Sequence, residues 1–234
     1  MEVEVAVAKV ARWAAGESGD TLEMIERPRG GLSFVLVDGQ RSGRAAKAIS
    51  NLVARKAIAE LSEGVRDGAA ARAAHDYLYT YKGGKVSATL NIVSLDLNSH
   101  TLVISRNNPA PAILLLPDGN LRLLDEPSQP VGIYAWTRPV MSEVEIQLNL
   151  MVVVYTDGLS VAGENCGGPL DIAAAVREIA ATSAGAAAMA DGLLQRALTL
   201  EEHRPRDDIS ILVLRVSPQQ GGQVRRLLVS VPID

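Results

Sequence analysis

GLSFVLVDGQRSG, residues 31–43, is the stretch whose reading decides the fold. An apolar run, residues 32–37, leads into an Asp–Gly pair and a small-residue turn, and a helical sequence follows from Ser42. A strand that ends on Asp38 puts a carboxylate at the edge of a sheet, where a ligand can reach it. The device recurs twice along the chain. MVVVYTDG sets Asp157 at the end of a second apolar strand, and RPRDDISILVLRV sets Asp207 and Asp208 at the start of a third. Three acid-bearing strand ends suggest one shared site.

Composition narrows the alternatives. A length of 234 residues suits one large domain, or at most two small ones. Hydrophobic residues make up 47% and aromatics 3%, so the core has to be aliphatic and a base-stacking surface is disfavoured. The net charge of −4 argues against a nucleic-acid partner, which requires a basic face. Cys166 stands alone, so neither an internal disulfide nor a cysteine zinc site is available. That fits a reducing cytoplasm. MEVEVAVAKV lacks the basic start and apolar core of a signal peptide, and no apolar stretch approaches the roughly 20 residues of a membrane helix. The expectation is a cytoplasmic protein without a membrane partner.

Outward from the opening stretch, residues 2–10 alternate as a strand, GESGD is a turn, and residues 21–26 form a second strand joined to the third by RPRGG. Residues 42–61 carry apolar side chains at helical spacing. Residues 67–81 predict a second helix, with Asp67 as its cap. Strands follow at 86–96, 101–105, 112–116 and 121–124, the last two around the turn PDGN. Residues 140–148 and 151–156 read as two more strands, 170–180 and 186–200 as helices, and 209–216 as the last strand. This order is α+β, with antiparallel sheets and paired helices. Residues 1–217 read as one domain. Residues 218–234 form an extension whose VRRLLVSVPI is either an added edge strand or a tail.

Acids at strand ends suit hard divalent cations, which take oxygen ligands. Gly39 and Gly158, without a Cβ, would let main chain approach an ion. Two ions about 4 Å apart acidify a water and clamp a phosphoryl group, so no nucleophilic side chain is needed. The plainer readings are that Asp–Gly is a turn and Asp–Asp a solvated pair. His203 is weighed as a general acid against a surface histidine.

The motifs together resemble the metal-dependent protein phosphatases, the protein phosphatase 2C-like or PPM family, and within it the SpoIIE-type branch. The resemblance runs from about Ser18 to Val216 through SGD, VDGQRSGRAA, SATLNIVSLDL, YTDGLSVA and RDDISILVLRV. It implies a four-layer αββα sandwich, with two antiparallel sheets face to face and a helix pair outside each. It implies two Mn²⁺ or Mg²⁺ ions bridged by Asp38, with the Gly39 carbonyl on one and Asp157 and Asp207 completing the pair. Asp207 matches the family ligand, with Asp208 its alternative. Asp20 matches a position that holds metal-bound water or a weaker third ion. Three departures stand out: Arg41 replaces the usual glycine and is weighed as a phosphate contact, Val161 replaces an acid, and Ser210 replaces threonine. Residues 163–185 correspond to a segment that is often a substrate-defining flap.

By this resemblance the chain is a serine/threonine protein phosphatase, similar to the stand-alone RsbX-type members that reset the stressosome. The implied substrate is a phosphorylated STAS-domain protein, either a stressosome scaffold or an anti-anti-sigma factor of a partner-switching pathway. A non-catalytic pseudophosphatase and a small-molecule phosphatase are the competing readings.

Overall fold

Strand β3 (Leu32–Gly39) is apolar on both faces because both faces are covered. Phe34 and Leu36 point to one side, Val35 and Val37 to the other, and all four are buried. The computed structural model describes residues 1–28, 30–182, 185–220, 222 and 224–231. Within them, β3 joins β2 (Asp20–Glu26), β4 (Ala88–Asp96), β5 (Thr101–Asn107) and β8 (Val140–Glu145) in one antiparallel sheet, ordered β2-β3-β4-β5-β8. The second sheet holds β1 (Glu2–Val10), β6 (Ala112–Leu115), β7 (Leu121–Leu124), β9 (Met151–Tyr155) and β10 (Ile209–Ser217), ordered β1-β10-β9-β6-β7.

The expected four-layer αββα sandwich is present. Phe34, Leu36, Val93 and Ile104 of one sheet meet Val152, Val154, Leu212 and Leu214 of the other in a central aliphatic layer. Helices α1 (Gly43–Ser62) and α2 (Asp67–Lys82) cover the outer face of the first sheet, burying Val53, Ala57 and Leu78 on Val35, Val37 and Ile92. Helices α4 (Ile172–Thr182) and α5 (Ala186–Leu200) do the same for the second sheet with Val176, Met189 and Leu193. Each fully buried Leu, Ile or Met contributes about 1.5–3 kcal/mol. A short helix, α3 (Asp157–Val161), follows β9 directly; five residues are too few to show a helical period in sequence.

One expectation fails locally. Asp67 does not cap α2: Arg66 holds the cap position, and Asp67 is buried inside the first turn. Its carboxylate is taken by Arg27 at 2.9 Å and by the Ser94 hydroxyl, pinning the helix to β2 and β4. The extension adds no edge strand among the described residues 218–231. Pro218 has no N–H with which to continue the ladder of β10, and Leu227 and Leu228 beyond it are exposed. Residues 221, 223 and 232–234 lie outside the described ones.

Small residues set the approach of α1 to the sheet. A Cβ on Gly39 would lie 2.1 Å from the Ala46 carbonyl oxygen, and one on Gly19 would lie 2.7 Å from the Ala46 Cβ. Gly39→Ala forces helix and strand apart at the point where Asp38 is placed. Its expected cost is about 3 kcal/mol, read as a lower midpoint in urea unfolding.

Candidate active site

Asp20 and Asp208 tie the two sheets together. Asp208, in the loop before β10, accepts the Arg12 N–H at 2.9 Å on Oδ1 and the Gly19 N–H at 2.8 Å on Oδ2. It therefore fastens the β1–β2 connection at both ends. Asp20, at the start of β2, is fully buried and accepts the Ser210 hydroxyl at 2.6 Å and the Thr156 hydroxyl at 3.0 Å, both on Oδ2. Those hydroxyls belong to the opposite sheet. Ser210, where threonine was usual in the resemblance, keeps the one group this contact uses. Asp20 Oδ1 is buried without a partner.

These fastenings bring the other acids to one cleft. Asp38 lies directly across from Asp20 in the β2–β3 register. Asp157 opens α3, and Asp207 precedes the fastened Asp208. A cleft of about 350 Å³ is lined by Asp38, Asp157 and Asp207 together with Arg12, Arg41 and Ser42. Asp208 does not line it. Pro109 and Pro130 form the far wall. That wall is held by buried Arg106, whose guanidinium donates to the carbonyls of Asn108 and Glu126, and by Asn107, which donates to the Gln129 carbonyl at 3.0 Å.

Like charges at such spacing oppose ionisation. Burial first, and then the neighbouring Asp20, Asp157 and Asp207, push the Asp38 carboxyl up to about 9. Burial pushes Asp20 up to about 6 against the pull of its two hydroxyl donors. Desolvation raises Asp157 and Asp207 as well, joined at Asp157 by the charge of Asp207 and at Asp207 by that of Asp208. The donor set is all oxygen, and it includes an orphaned carboxylate oxygen and an acid that ionises unwillingly. Such a set fits a hard cation, whose charge would relieve the repulsion. Among the described residues, no three Asp, Glu, His or Cys side chains already close on a point at ligand spacing. The cluster is assembled but open.

The glycines have a different local reason from the one their sequence suggests. Gly158 sits where a Cβ would meet the Asp208 carbonyl oxygen at 2.1 Å, as Gly39 does against Ala46. Both are required by close main-chain packing. Arg41 has φ of 78°, the left-handed region that glycine enters without steric cost, and its side chain is exposed on the cleft rim. His203 is exposed and does not line the cleft. Residues 163–171 make a compact turn, closed by Gly168 N–H on the Gly163 carbonyl at 3.2 Å and Leu170 N–H on the Ala162 carbonyl at 2.9 Å, and none of them lines the cleft. Residues 183 and 184 of the expected flap lie outside the described ones. Sequence reasoning missed Arg12, whose Nη1 donates to Ser42 Oγ at 2.9 Å beside Asp207, and Arg106. Only the charge of Arg106 at the end of an apolar strand was a signal.

The comparisons agree with this architecture. The family described as Stage II sporulation protein E (SpoIIE) matches residues 28–217. No curated protein matches in sequence. Among solved structures, the phosphatase domain of SpoIIE from Bacillus subtilis with a fragment of its regulatory domain superposes with a TM-score of 0.79 at 17% identity, over 92% of this chain and 64% of that one. The RsbU and RsbW domains of Rv1364c from Mycobacterium tuberculosis give 0.74 at 23%, over 93% and 61%. RsbX in complex with magnesium gives 0.70 at 15%, over 92% and 96%. The chain thus spans less than two thirds of the first two.

The raised acids make a testable statement about pH. Asp38 titrates near 3.8 when unfolded and near 9 when folded, so between these values the native state keeps a proton that the unfolded state has released. Without cations, stability therefore falls as pH rises from about 4 to about 9. Asp38→Asn removes that penalty. Its melting temperature in chelator is expected to exceed that of the wild type by several degrees near pH 8, roughly the effect of 1–2 kcal/mol, and to match it near pH 4.

Proposed function

The chain belongs to the SpoIIE family of PPM phosphatases, and from that premise we propose that it hydrolyses phosphoserine or phosphothreonine on a signalling protein. The observation that carries the reading is the convergence of Asp38, Asp157 and Asp207 on one cleft that, among the described residues, no histidine, cysteine or lysine lines. A nucleophile–base pair is not built there; an oxygen-rich cation site is.

In this reading Asp38, Gly39, Asp157 and Asp207 are the residues that would hold two Mn²⁺ or Mg²⁺ ions, with Asp38 shared between them. Asp207 is chosen over Asp208 because both Asp208 oxygens already accept main-chain N–H groups. Such ions, when bound, neutralise phosphoryl oxygens and acidify a water for attack at phosphorus. The magnesium in the RsbX structure supports the choice of metal. Asp20 has a single free oxygen, suited to accept from an ordered water or to touch a weaker third ion. Arg12 is held over the cleft by Ser42 and presents a guanidinium to phosphate oxygens, with Arg41 at the rim beside it. His203 lies away from the cleft and is not placed to protonate the leaving alkoxide.

A phosphorylated STAS-domain protein is the substrate we propose, with a stressosome scaffold preferred to an anti-anti-sigma factor and a cytoplasmic location for both. The likeness to RsbX supports the first, and the likeness to an RsbU domain supports the second. Release of phosphate from each phosphorylated protein separates them.

Manganese-dependent hydrolysis of p-nitrophenyl phosphate is expected, falling by about a thousandfold or more in Asp38→Ala. Arg12→Ala should raise KM, and an unchanged KM in Arg41→Gly would remove Arg41 from the phosphate site. No turnover in the wild type would leave a binding module. Turnover of free phosphate esters but of no phosphoprotein would point to a small-molecule enzyme.

A further inference from the structure

A second groove, of about 580 Å³, adjoins the cleft. It is lined by Ala15, Gly16 and Glu17 of the β1–β2 connection and by Gly43 and Arg44 at the start of α1. Arg41 and Ser42, the preceding residues, line the cleft itself, so the two depressions are continuous along one stretch of main chain. Both walls of the groove are fixed. The connection is held by Asp208 at Arg12 and Gly19, and by Trp13 N–H on the Pro205 carbonyl at 2.6 Å. The other wall is the first turn of α1.

The charge around this groove runs against that of the chain. The whole protein carries −4, yet Arg12 and Arg41 on the cleft, Arg44 on the groove and Arg204 against Trp13 of the same β1–β2 connection are all exposed. The Arg204 guanidinium lies 5.4 Å from the centre of the Trp13 ring, which is 59% exposed. None of the ion pairs found among the described residues involves Arg12, Arg41, Arg44 or Arg204, whereas Arg206 is taken by Glu201 at 3.2 Å. Glu17 is the one acid lining the groove. The cleft acids do not cancel this field if cations occupy them.

We propose that this groove binds the polypeptide flanking the phosphorylated residue, and that it selects acidic flanks. The inference rests on the phosphatase reading for its substrate. A chain whose phosphoryl group sits against Arg12 and Asp38 leaves the cleft past Arg41 and Ser42, and its next residues then lie between Arg44 and the loop carrying Trp13. Carboxylates there meet guanidinium groups, and an apolar side chain meets the exposed indole face. Exposed charge pairs are weak singly, so selection comes from several acting in one field, and salt weakens it.

The test compares kcat/KM for a phosphoserine peptide flanked by glutamates with that for its lysine-flanked counterpart. The wild type is expected to prefer the acidic peptide by roughly tenfold at low salt, with the ratio falling at high salt. The double variant Arg44→Glu, Arg204→Glu should abolish or invert the preference, and Glu17→Lys should increase it. Turnover of p-nitrophenyl phosphate should be unchanged in both variants. Equal rates on the two peptides in the wild type, or a preference that survives the double variant, would overturn the proposal. Failure of the phosphatase reading shows differently, as absent manganese-dependent turnover of p-nitrophenyl phosphate by the wild type. The groove is then judged by the affinities of the same two peptides, with the same ordering required.

Discussion

Two buried carboxylates fasten one sheet to the other, and the rest of the site depends on them. Asp20 reaches from the first sheet to the hydroxyls of Thr156 and Ser210 on the second. Asp208 reaches from the second sheet to the main chain at Gly19, where the first begins. A hydrogen bond to a charged group contributes about 1.5–3 kcal/mol, and a buried carboxylate without donors would cost more than that. These two contacts select one arrangement, in which the ends of β3 and β9 and the start of β10 share a cleft.

That selection has an electrostatic consequence. Asp38, Asp157 and Asp207 stand at spacings where full ionisation is opposed, and Asp38 keeps its proton well above the usual carboxylate range. The scaffold is rigid where it must hold this repulsion. Gly39 lies against the Ala46 carbonyl and Gly158 against that of Asp208, which leaves the strand ends little freedom to spread. A divalent cation held there would relieve that repulsion. This links the fold to the proposed phosphatase chemistry and sets the acidic cleft apart from the basic rim around it.

Much of this was legible in the sequence. The strands ending in Asp–Gly are uninterrupted apolar runs because helices or a second sheet cover both of their faces, and such runs are hard to mistake. Asp38, Asp157 and Asp207 could be picked out because each adjoins one of them. The division of labour between Asp207 and Asp208 was not legible. It is decided by the main-chain N–H groups of Arg12 and Gly19, 196 and 189 residues away in the chain. Arg12 was invisible for the same reason, since its partner Ser42 lies on a different element. Asp67 looked like a helix cap because capping is a local pattern, but burial against Arg27 and Ser94 took precedence. For VRRLLVSVPI the sequence left an edge strand and a tail both open, because a strand needs an unpaired edge beside it and no local pattern reports whether one is near.

In the proposed phosphatase the strand-end acids form a cation site, and Asp38 gives up its proton when the cation enters. Calorimetric titration of Mn²⁺ into the protein near pH 7.5, repeated in buffers of different ionisation enthalpy, measures this directly because ligation requires the acid to give up its proton. Saturable binding with release of about one proton is expected, abolished in Asp38→Asn. Absence of binding, or binding with no proton released, would contradict it.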